Sequence, residues 1–308
     1  MPRFNKTWRA VAGKPGTKGL EIGYPLRVTF EIEKDAAEEP NGATLRFYNL
    51  SPATRKVFET PDTFVAFYAG YEQEHGALLL AAGNVVEGVT SFERPNVVTE
   101  VVLSDGYVNL RDSAVSVGYG PGVTSGAILD DLSRQMGLKL NAPADMRSRS
   151  WAHGFSHYGA AHVALHKVVQ ASGLEWSIQD GVLQVIDRKG VTARRAVVLA
   201  SDSGLVGTPK RTRSGAAEKA TVKDQKTGEN KTIASNAQQV DGWEVESLLL
   251  PGINPGDAVK IESRTVTDFF RVDSLSHSGD SEGSGEWRTK LKVVDLDAPT
   301  KAKKAAKK

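Results

Sequence analysis

The sequence predicts a mainly β protein with an α+β insertion, in which two small antiparallel β-barrel domains flank a middle α+β domain. Short segments of alternating apolar and polar residues, typical of strands, occupy the first and the last third of the chain. Segments with helical spacing of apolar residues lie between them. The 30 glycines among 308 residues are suited to the many turns that such a fold requires.

Composition limits the classes of protein to which the chain can belong. Hydrophobic residues make up 40% of the sequence, and no run approaches the roughly 18 apolar residues of a membrane span. The N-terminal residues include no apolar core of a signal peptide, so we expect synthesis in the cytoplasm and no membrane partner. Because the chain has no cysteine, disulfides, thiol catalysis and cysteine-based metal sites are excluded.

The net charge of +2 arises from the last residues. The ending TKAKKAAKK holds five lysines, and without them the remainder of the chain carries about −3. The charge total therefore predicts no basic face for binding nucleic acid. We interpret residues 300–308 as a lysine-rich disordered tail.

The first predicted β-barrel domain covers residues 23–112 and follows an N-terminal arm at 1–22 that shows little apolar periodicity. Its first strand alternates apolar Leu26, Val28, Phe30 and Ile32 with polar residues. Ser51 is placed to cap a short helix from Pro52 to Phe58. The other segments with strand patterns are Ala43–Leu50, Thr63–Tyr71, Ala77–Ser91 and Asn96–Asp105.

The middle domain is predicted at 113–194. Apolar residues at helical spacing indicate helices at Ser125–Met136 and Ala160–Ser172, each followed by a glycine suited to a C-cap. After them, Leu174–Gln179 and Val182–Asp187 flank Asp180-Gly181, which predicts a hairpin with a two-residue turn.

The second β-barrel domain is predicted at 195–299 and contains a polar insertion at 210–241. Within that insertion an exposed hairpin could form, with a mobile loop near 226–230. Pro255, Gly256 and Asp257 form a turn between strands, and His277, Gly279 and Asp280 are expected to shape the turn before the last strand. The predicted strands are Ala196–Ala200, Val245–Leu250, Ala258–Ile261, a segment through Phe269, Phe270 and Val272, and Trp287–Val294.

Motifs for catalysis or cofactor binding are weak. His162 and His166 stand four residues apart on a predicted helix, a spacing that can share a zinc ion, but Val163 occupies the position where a zinc protease has its glutamate. The glycines at 118–122 lack the Lys-Ser/Thr ending of a phosphate-binding loop. We therefore predict no catalytic residue, no cofactor and no metal.

Two stretches resemble the baseplate hub, or tail hub, proteins of tailed bacteriophages, of the late control protein D-like family. The first is LRVTFEIEK followed by PNGATLRFYNLSPATR, between Leu26 and Arg55. The second comprises LLLPGINPGDAVKIES, FFRVDSLSHSGD and EWRTKLKV. The polar insertion and the lysine-rich tail depart from the family pattern.

The resemblance implies a homotrimer with a central channel, in which six β domains adapt the six-fold tail tube to the three-fold central spike. Its expected partners are further copies of itself, the tube protein, the spike protein and other baseplate proteins, with the tape-measure protein as a further candidate. DNA would only pass through the channel, and the protein would reside in the virion. The interface and turn candidates are Asn49, Leu50, Ser51, Pro255, Gly256, Asp257, His277, Gly279 and Asp280, although each could equally stabilise its own turn.

Two alternatives remain open at this point. The chain could be an enzyme, either a hub-associated protein that degrades cell walls or a metal-dependent hydrolase using His162 and His166. It could also be a β-rich binding module without a role in a phage.

Overall fold

A computed structural model describes residues 5–14, 18–142, 149–187, 190–192, 196–214, 219–223, 230–234, 240–283 and 285–296. Most of the predicted loop at 226–230, and all of the tail at 300–308, lie outside these residues. The first β unit contains β1 (Lys6–Gly13), β2 (Leu20–Gly23), β3 (Val28–Asp35), β4 (Gly42–Tyr48), α1 (Pro52–Phe58), β5 (Phe64–Tyr71), β6 (Gly76–Glu93), β7 (Asn96–Ser104) and α2 (Tyr107–Asp112).

The middle unit combines two helices with short strands. Its elements are β8 (Ala114–Tyr119), β9 (Val123–Thr124), α3 (Ser125–Gln135), β10 (Lys139–Asn141), β11 (Ser150–Trp151), β12 (Phe155–Ala160), α4 (Ala161–Ala171), β13 (Leu174–Gln179) and β14 (Val182–Asp187). The second β unit contains β15 (Val197–Ala200), β16 (Leu205–Ser214), β17 (Lys219–Lys223), β18 (Asn230–Ala234), β19 (Val240–Leu248), β20 (Ala258–Glu262), β21 (Thr267–Asp280) and β22 (Trp287–Asp295).

Strands of both β units belong to one sheet of 13 strands. Its main path is β16-β19-β22-β21-β3-β4-β7-β6-β5-β1-β2, with β20 joined to β21 and β15 joined in parallel to β20. The two units meet where β21 pairs antiparallel with β3, and we call this pair the seam. The mainly β class is therefore confirmed. The two separate barrels are not seen, because among the described strands the path is continuous across the seam and does not close.

The N-terminal residues differ from the expected arm. β1 pairs along its whole length with β5, and it also pairs with β2. Trp8, Ala10 and Ala12 are buried in the core of the first unit, and Trp8 Nε1 donates a hydrogen bond of 2.9 Å to Leu26 O. Two of the three buried side chains are alanines, so the hydrophobic alternation was too weak to be recognised as a strand.

Each unit has a hydrophobic core of its own. The core of the first unit also includes Leu249 and Trp287 from the second, so packing as well as hydrogen bonding crosses the seam. In the middle unit, α3 and α4 pack on the β13–β14 hairpin, with Ile128, Leu165 and Trp176 buried between them. The last core lies among β15, β19, β20, β21 and β22. No helix in the described part of the chain is long and apolar enough to span a membrane.

Candidate functional site at the junction of the three units

Charged and amide side chains from all three units are buried together beside the seam. Lys34 lies on β3, Asn41 immediately precedes β4, Asp105 follows β7, Asp180 lies in the β13–β14 turn, and Asn254 lies in the loop before β20. We call these five residues the junction cluster. A buried charge is strongly disfavoured unless it is paired and hydrogen-bonded, so the contacts within the cluster determine how the units fit together.

The Lys34 ammonium is the centre of the cluster. Its Nζ donates to both carboxylate oxygens of Asp180 at 2.7 Å and to Asn254 Oδ1 at 3.1 Å. Asn254 Nδ2 in turn lies 3.4 Å from Asp180 Oδ2. One cation from the first unit therefore holds the hairpin turn of the middle unit and the loop of the second.

Asp105 binds the backbone of the same turn. Its carboxylate accepts hydrogen bonds from the N–H groups of Asp180 and Gly181, at 2.5 and 2.9 Å. Both turn residues have positive φ angles, of 54° and 78°, as a type I′ hairpin turn requires. Asn41 adds donors to Ile178 O and Gln179 Oε1, each at 3.0 Å. The β13–β14 turn is therefore held by hydrogen bonds to its backbone as well as by the ion pair of Asp180 with Lys34.

Burial and, after it, the neighbouring Asp180 carboxylate raise the pKa of the Asp105 carboxyl to about 7, against the lowering effects of the Gly181 N–H and of Lys34. Because the pKa in the folded state exceeds that in the unfolded chain, the folded protein binds this proton more tightly. The free energy of unfolding should therefore decrease as the pH rises from about 4 to about 7, by ~4 kcal/mol at most for this group.

We expect Asp105→Asn to remove this pH dependence. Urea unfolding of the natural protein and of the variant at pH 5 and pH 8 measures it, since every other titrating group is common to both proteins. The difference in unfolding free energy between the two proteins should change by a few kcal/mol between these pH values. An equal pH dependence in both proteins would show that Asp105 does not titrate in this range.

The predicted turn at Pro255, Gly256 and Asp257 contacts the middle unit of its own chain. Gln184 Nε2 donates to Pro255 O at 2.9 Å, and the Thr192 N–H donates to Gly256 O at 2.9 Å. The Asp257 carboxylate accepts hydrogen bonds from the Thr192 hydroxyl and from the Asn254 N–H. All three turn residues are buried, so they join the second β unit to the middle unit.

The predicted corner at Asn49, Leu50 and Ser51 is formed as expected. Asn49 adopts the left-handed conformation with φ of 59°, and its Oδ1 accepts a hydrogen bond from Val97 N at 2.9 Å. Leu50 is buried in the core, and Ser51 caps α1 by accepting from Thr54 N at 3.2 Å. The side chains of Asn49 and Ser51 are exposed.

His277, Gly279 and Asp280 do not lie in a turn, which corrects the expectation from sequence. They belong to β21, which extends to Asp280 and pairs with β3 on one side and, up to Gly279, with β22 on the other. Serines alternate with Leu275, His277 and Gly279 in this stretch, so only one of the inward positions carries a large apolar side chain. The turn that the sequence predicts in this stretch begins at Ser281, directly after Asp280.

These three residues stabilise the seam from within. The buried His277 places Nδ1 2.8 Å from Thr289 Oγ1, and burial lowers the pKa of its imidazole well below the usual value. Burial alone would raise the pKa of Asp280, but hydrogen bonds from Arg27 and from the Glu282 N–H lower it. Lys6 Nζ donates to the Asp280 and Gly285 carbonyl oxygens, at 2.9 and 2.7 Å.

The two histidines of the metal hypothesis have separate surroundings. His166 Nδ1 lies 2.8 Å from Glu38 Oε1, whereas His162 Nδ1 is buried and has no hydrogen-bond partner among the described residues. Within the ranges that the structure describes, no three His, Asp or Glu side chains are grouped so that they could hold a metal ion.

Sequence reasoning missed the junction cluster, although one signal was available. Lys34 continues the alternation of Val28, Phe30 and Ile32, so it occupies a position that points into the core. A lysine at such a position requires a buried partner. Nothing in the sequence indicated that this partner is Asp180, since the two residues lie 146 positions apart.

Comparisons with known proteins relate this architecture to phage tails. No protein-family model matches the sequence, and no curated protein matches it. Several solved structures do match this chain. A 43 kDa tail protein of prophage MuSo2 from Shewanella oneidensis matches with a TM-score of 0.60 and 13% identity, over 94% of this chain and 99% of that chain. A tail protein from Neisseria meningitidis matches with a TM-score of 0.59 and 10% identity, over 95% and 97%.

A third similar structure comes from a secretion system. It is an Escherichia coli protein described as a component of the type VI secretion system, with structural similarity to the T4 bacteriophage tail proteins gp27 and gp5. The match has a TM-score of 0.55 and 12% identity, and it covers 96% of this chain and 79% of that chain. The resemblance to tail hub proteins is therefore confirmed at the level of the fold: this chain adopts a fold that phage tail proteins share.

Proposed function

We propose that the protein is a structural component of a bacteriophage tail, forming the trimeric baseplate hub that adapts the six-fold tail tube to the three-fold central spike. The observation that supports this most strongly is the extent of the structural match. The MuSo2 tail protein is covered over 99% of its length, so the similarity includes the middle unit and not only a common β motif. A fold alone does not establish a function, and the remaining support comes from the arrangement of the sheet.

Each chain contributes one β unit on each side of the seam. Along the main path the second unit supplies four strands, β21, β22, β19 and β16, and the first unit supplies seven, β3, β4, β7, β6, β5, β1 and β2. Three copies of the chain would supply six β units, the number needed to face a six-fold tube while the assembly keeps three-fold symmetry. The junction cluster joins both β units to the middle unit, as a rigid adaptor requires.

The proposal extends to partners and location. The hub would bind other copies of itself, the tube protein, the spike protein and other baseplate proteins, with the tape-measure protein as a further candidate, and it would reside in the virion. A similar fold occurs in a PdpA-VgrG complex, with a TM-score of 0.58 and 8% identity, covering 99% of this chain and 67% of that chain.

Among the nine interface candidates, we favour Asn49 and Ser51 for contacts between subunits, because both are exposed at the corner before α1.

The mass of the protein in solution tests the trimer. One chain has a mass of 33.1 kDa, so sedimentation or native mass measurement should give about 99 kDa for a trimer of the protein alone, or a larger complex that contains three copies when tube and spike proteins are present. A monomer that persists at every concentration and with both partners would contradict the proposal.

The proposed role is non-catalytic. Turnover of peptidoglycan that disappears in His162→Ala would contradict this part of it.

A further inference from the structure

A groove with a volume of about 510 Å³ lies on the outer face of the main sheet. Ser274 and Ser276 of β21 lie between its two charged sides. Lys290 and Lys292 of β22 line one side, and Glu33 and Asp35 of β3 line the other. Adjacent strands are ~4.8 Å apart, so the lysine column and the carboxylate column stand about 10 Å from each other.

The two columns differ in their neighbours. Lys290 and Lys292 lie opposite Glu246 and Glu244 of β19, so carboxylates are adjacent to both cations. Glu33 lies opposite Ser276 on β21 and Gly42 on β4, and Asp35 lies opposite Ser274. Neither Glu33 nor Asp35 forms an ion pair with any residue that the structure describes. Lys34, which stands between them on β3, is buried and paired with Asp180, so it does not neutralise the exposed carboxylates of Glu33 and Asp35.

The last described strand, β22, ends close to this column, and the lysine-rich ending follows it in the sequence. β22 ends at Asp295, opposite Phe270, whereas Asp35 lies opposite Ser274. Asp295 and Asp35 are therefore four residues apart along β21 and two strand spacings apart across the sheet, which corresponds to a distance of roughly 16 Å. About five extended residues span that distance from Asp295, so Lys301 is the first lysine that can reach Asp35. All five lysines of the ending lie at or beyond this position.

We propose that residues 301–308 bind in this groove, with their lysines along the carboxylates of Glu33 and Asp35. The occupant is a segment of the same chain, and the contact is electrostatic. Two or three exposed ion pairs contribute about 1 kcal/mol together, corresponding to roughly a fivefold preference for the bound arrangement. A contact of this strength would be weakened by salt and could be displaced by a more basic partner.

Disulfide formation between introduced cysteines tests the contact, since the chain has no cysteine of its own. In the full-length variant Ser276→Cys/Ala305→Cys, mild oxidation at high dilution should join the two positions within one chain. The matched control is Thr267→Cys/Ala305→Cys. Thr267 is exposed and lies nearer than Ser276 to the end of β22. If residues 301–308 had no binding site, a cysteine at position 305 would therefore react faster with position 267 than with position 276. Peptide mapping by mass spectrometry measures both rates.

We expect the Ser276→Cys pair to form about five times faster than the control at low salt, and this preference to disappear at 0.5 M salt, where the Debye length is roughly 4 Å. Adding Glu33→Gln and Asp35→Asn should abolish the preference. A faster reaction at position 267 would overturn the proposal. So would a preference that survives neutralisation of Glu33 and Asp35, or disulfides that form only between chains.

Discussion

Replacing Lys34 with methionine is expected to lower the free energy of unfolding by about 3–5 kcal/mol, because it removes the cation from a buried ion pair and leaves the partner charge in place. The Lys34 side chain is 4% exposed, and that of its partner Asp180 is 13% exposed. The Asp180 carboxylate would keep only the weaker contact with Asn254. Urea or thermal unfolding, followed by circular dichroism, measures the loss.

A matched control is present on the adjacent strand. Arg46 of β4 pairs with Glu100 at 2.6 Å, but their side chains are 54% and 42% exposed. Arg46→Met should therefore cost less than about 1 kcal/mol. Adding Asp180→Asn to the Lys34→Met protein should recover part of the stability, since it removes the unpaired charge. If Lys34→Met and Arg46→Met destabilise the protein equally, the junction cluster does not hold the three units together.

Replacing Gly279 with alanine is expected to cost about 3 kcal/mol, because the site has no room for a methyl group. An added Cβ would lie 2.4 and 2.5 Å from two ring atoms of Phe30 and 2.7 Å from Trp287. These two rings pack edge to face with centroids 5.0 Å apart in the core that crosses the seam. Backbone movement is restricted as well, since Gly279 pairs with both β3 and β22.

Thermal unfolding should show a decrease in Tm of roughly 6–12 °C for Gly279→Ala. Ser278→Ala serves as the control, since Ser278 precedes Gly279 on the same strand and its side chain points to the opposite face of the sheet. That variant should unfold within about 0.5 kcal/mol of the natural protein. Combining Gly279→Ala with Phe30→Leu should cost less than the sum of the two single changes. Additive costs would mean that the methyl group and the Phe30 ring do not compete for space.

Elements with local signals could be predicted from the sequence. Ser51 followed by Pro52 located α1, and its bounds agree with the structure. Asp180-Gly181 located the β13–β14 hairpin, whose register also agrees. Caps, proline positions and two-residue turns depend on neighbours within a few residues, so their physical cause is present in the local sequence. β1 and the second half of β21 were missed because alanine, serine and glycine carry little apolar periodicity.

The sequence by itself determined that the protein is mainly β, that a middle unit with two helices interrupts the strands, and that the order of its motifs resembles tail hub proteins. Only the tertiary structure decided that both β units share one sheet, and that Lys34, Asp105, Asp180 and Asn254 meet beside the seam. It also decided that the turn at 255–257 contacts the middle unit of its own chain. The reason is physical: contacts such as that of Arg27 with Asp280, 253 residues apart, depend on how complete sheets pack, and no local pattern encodes that geometry.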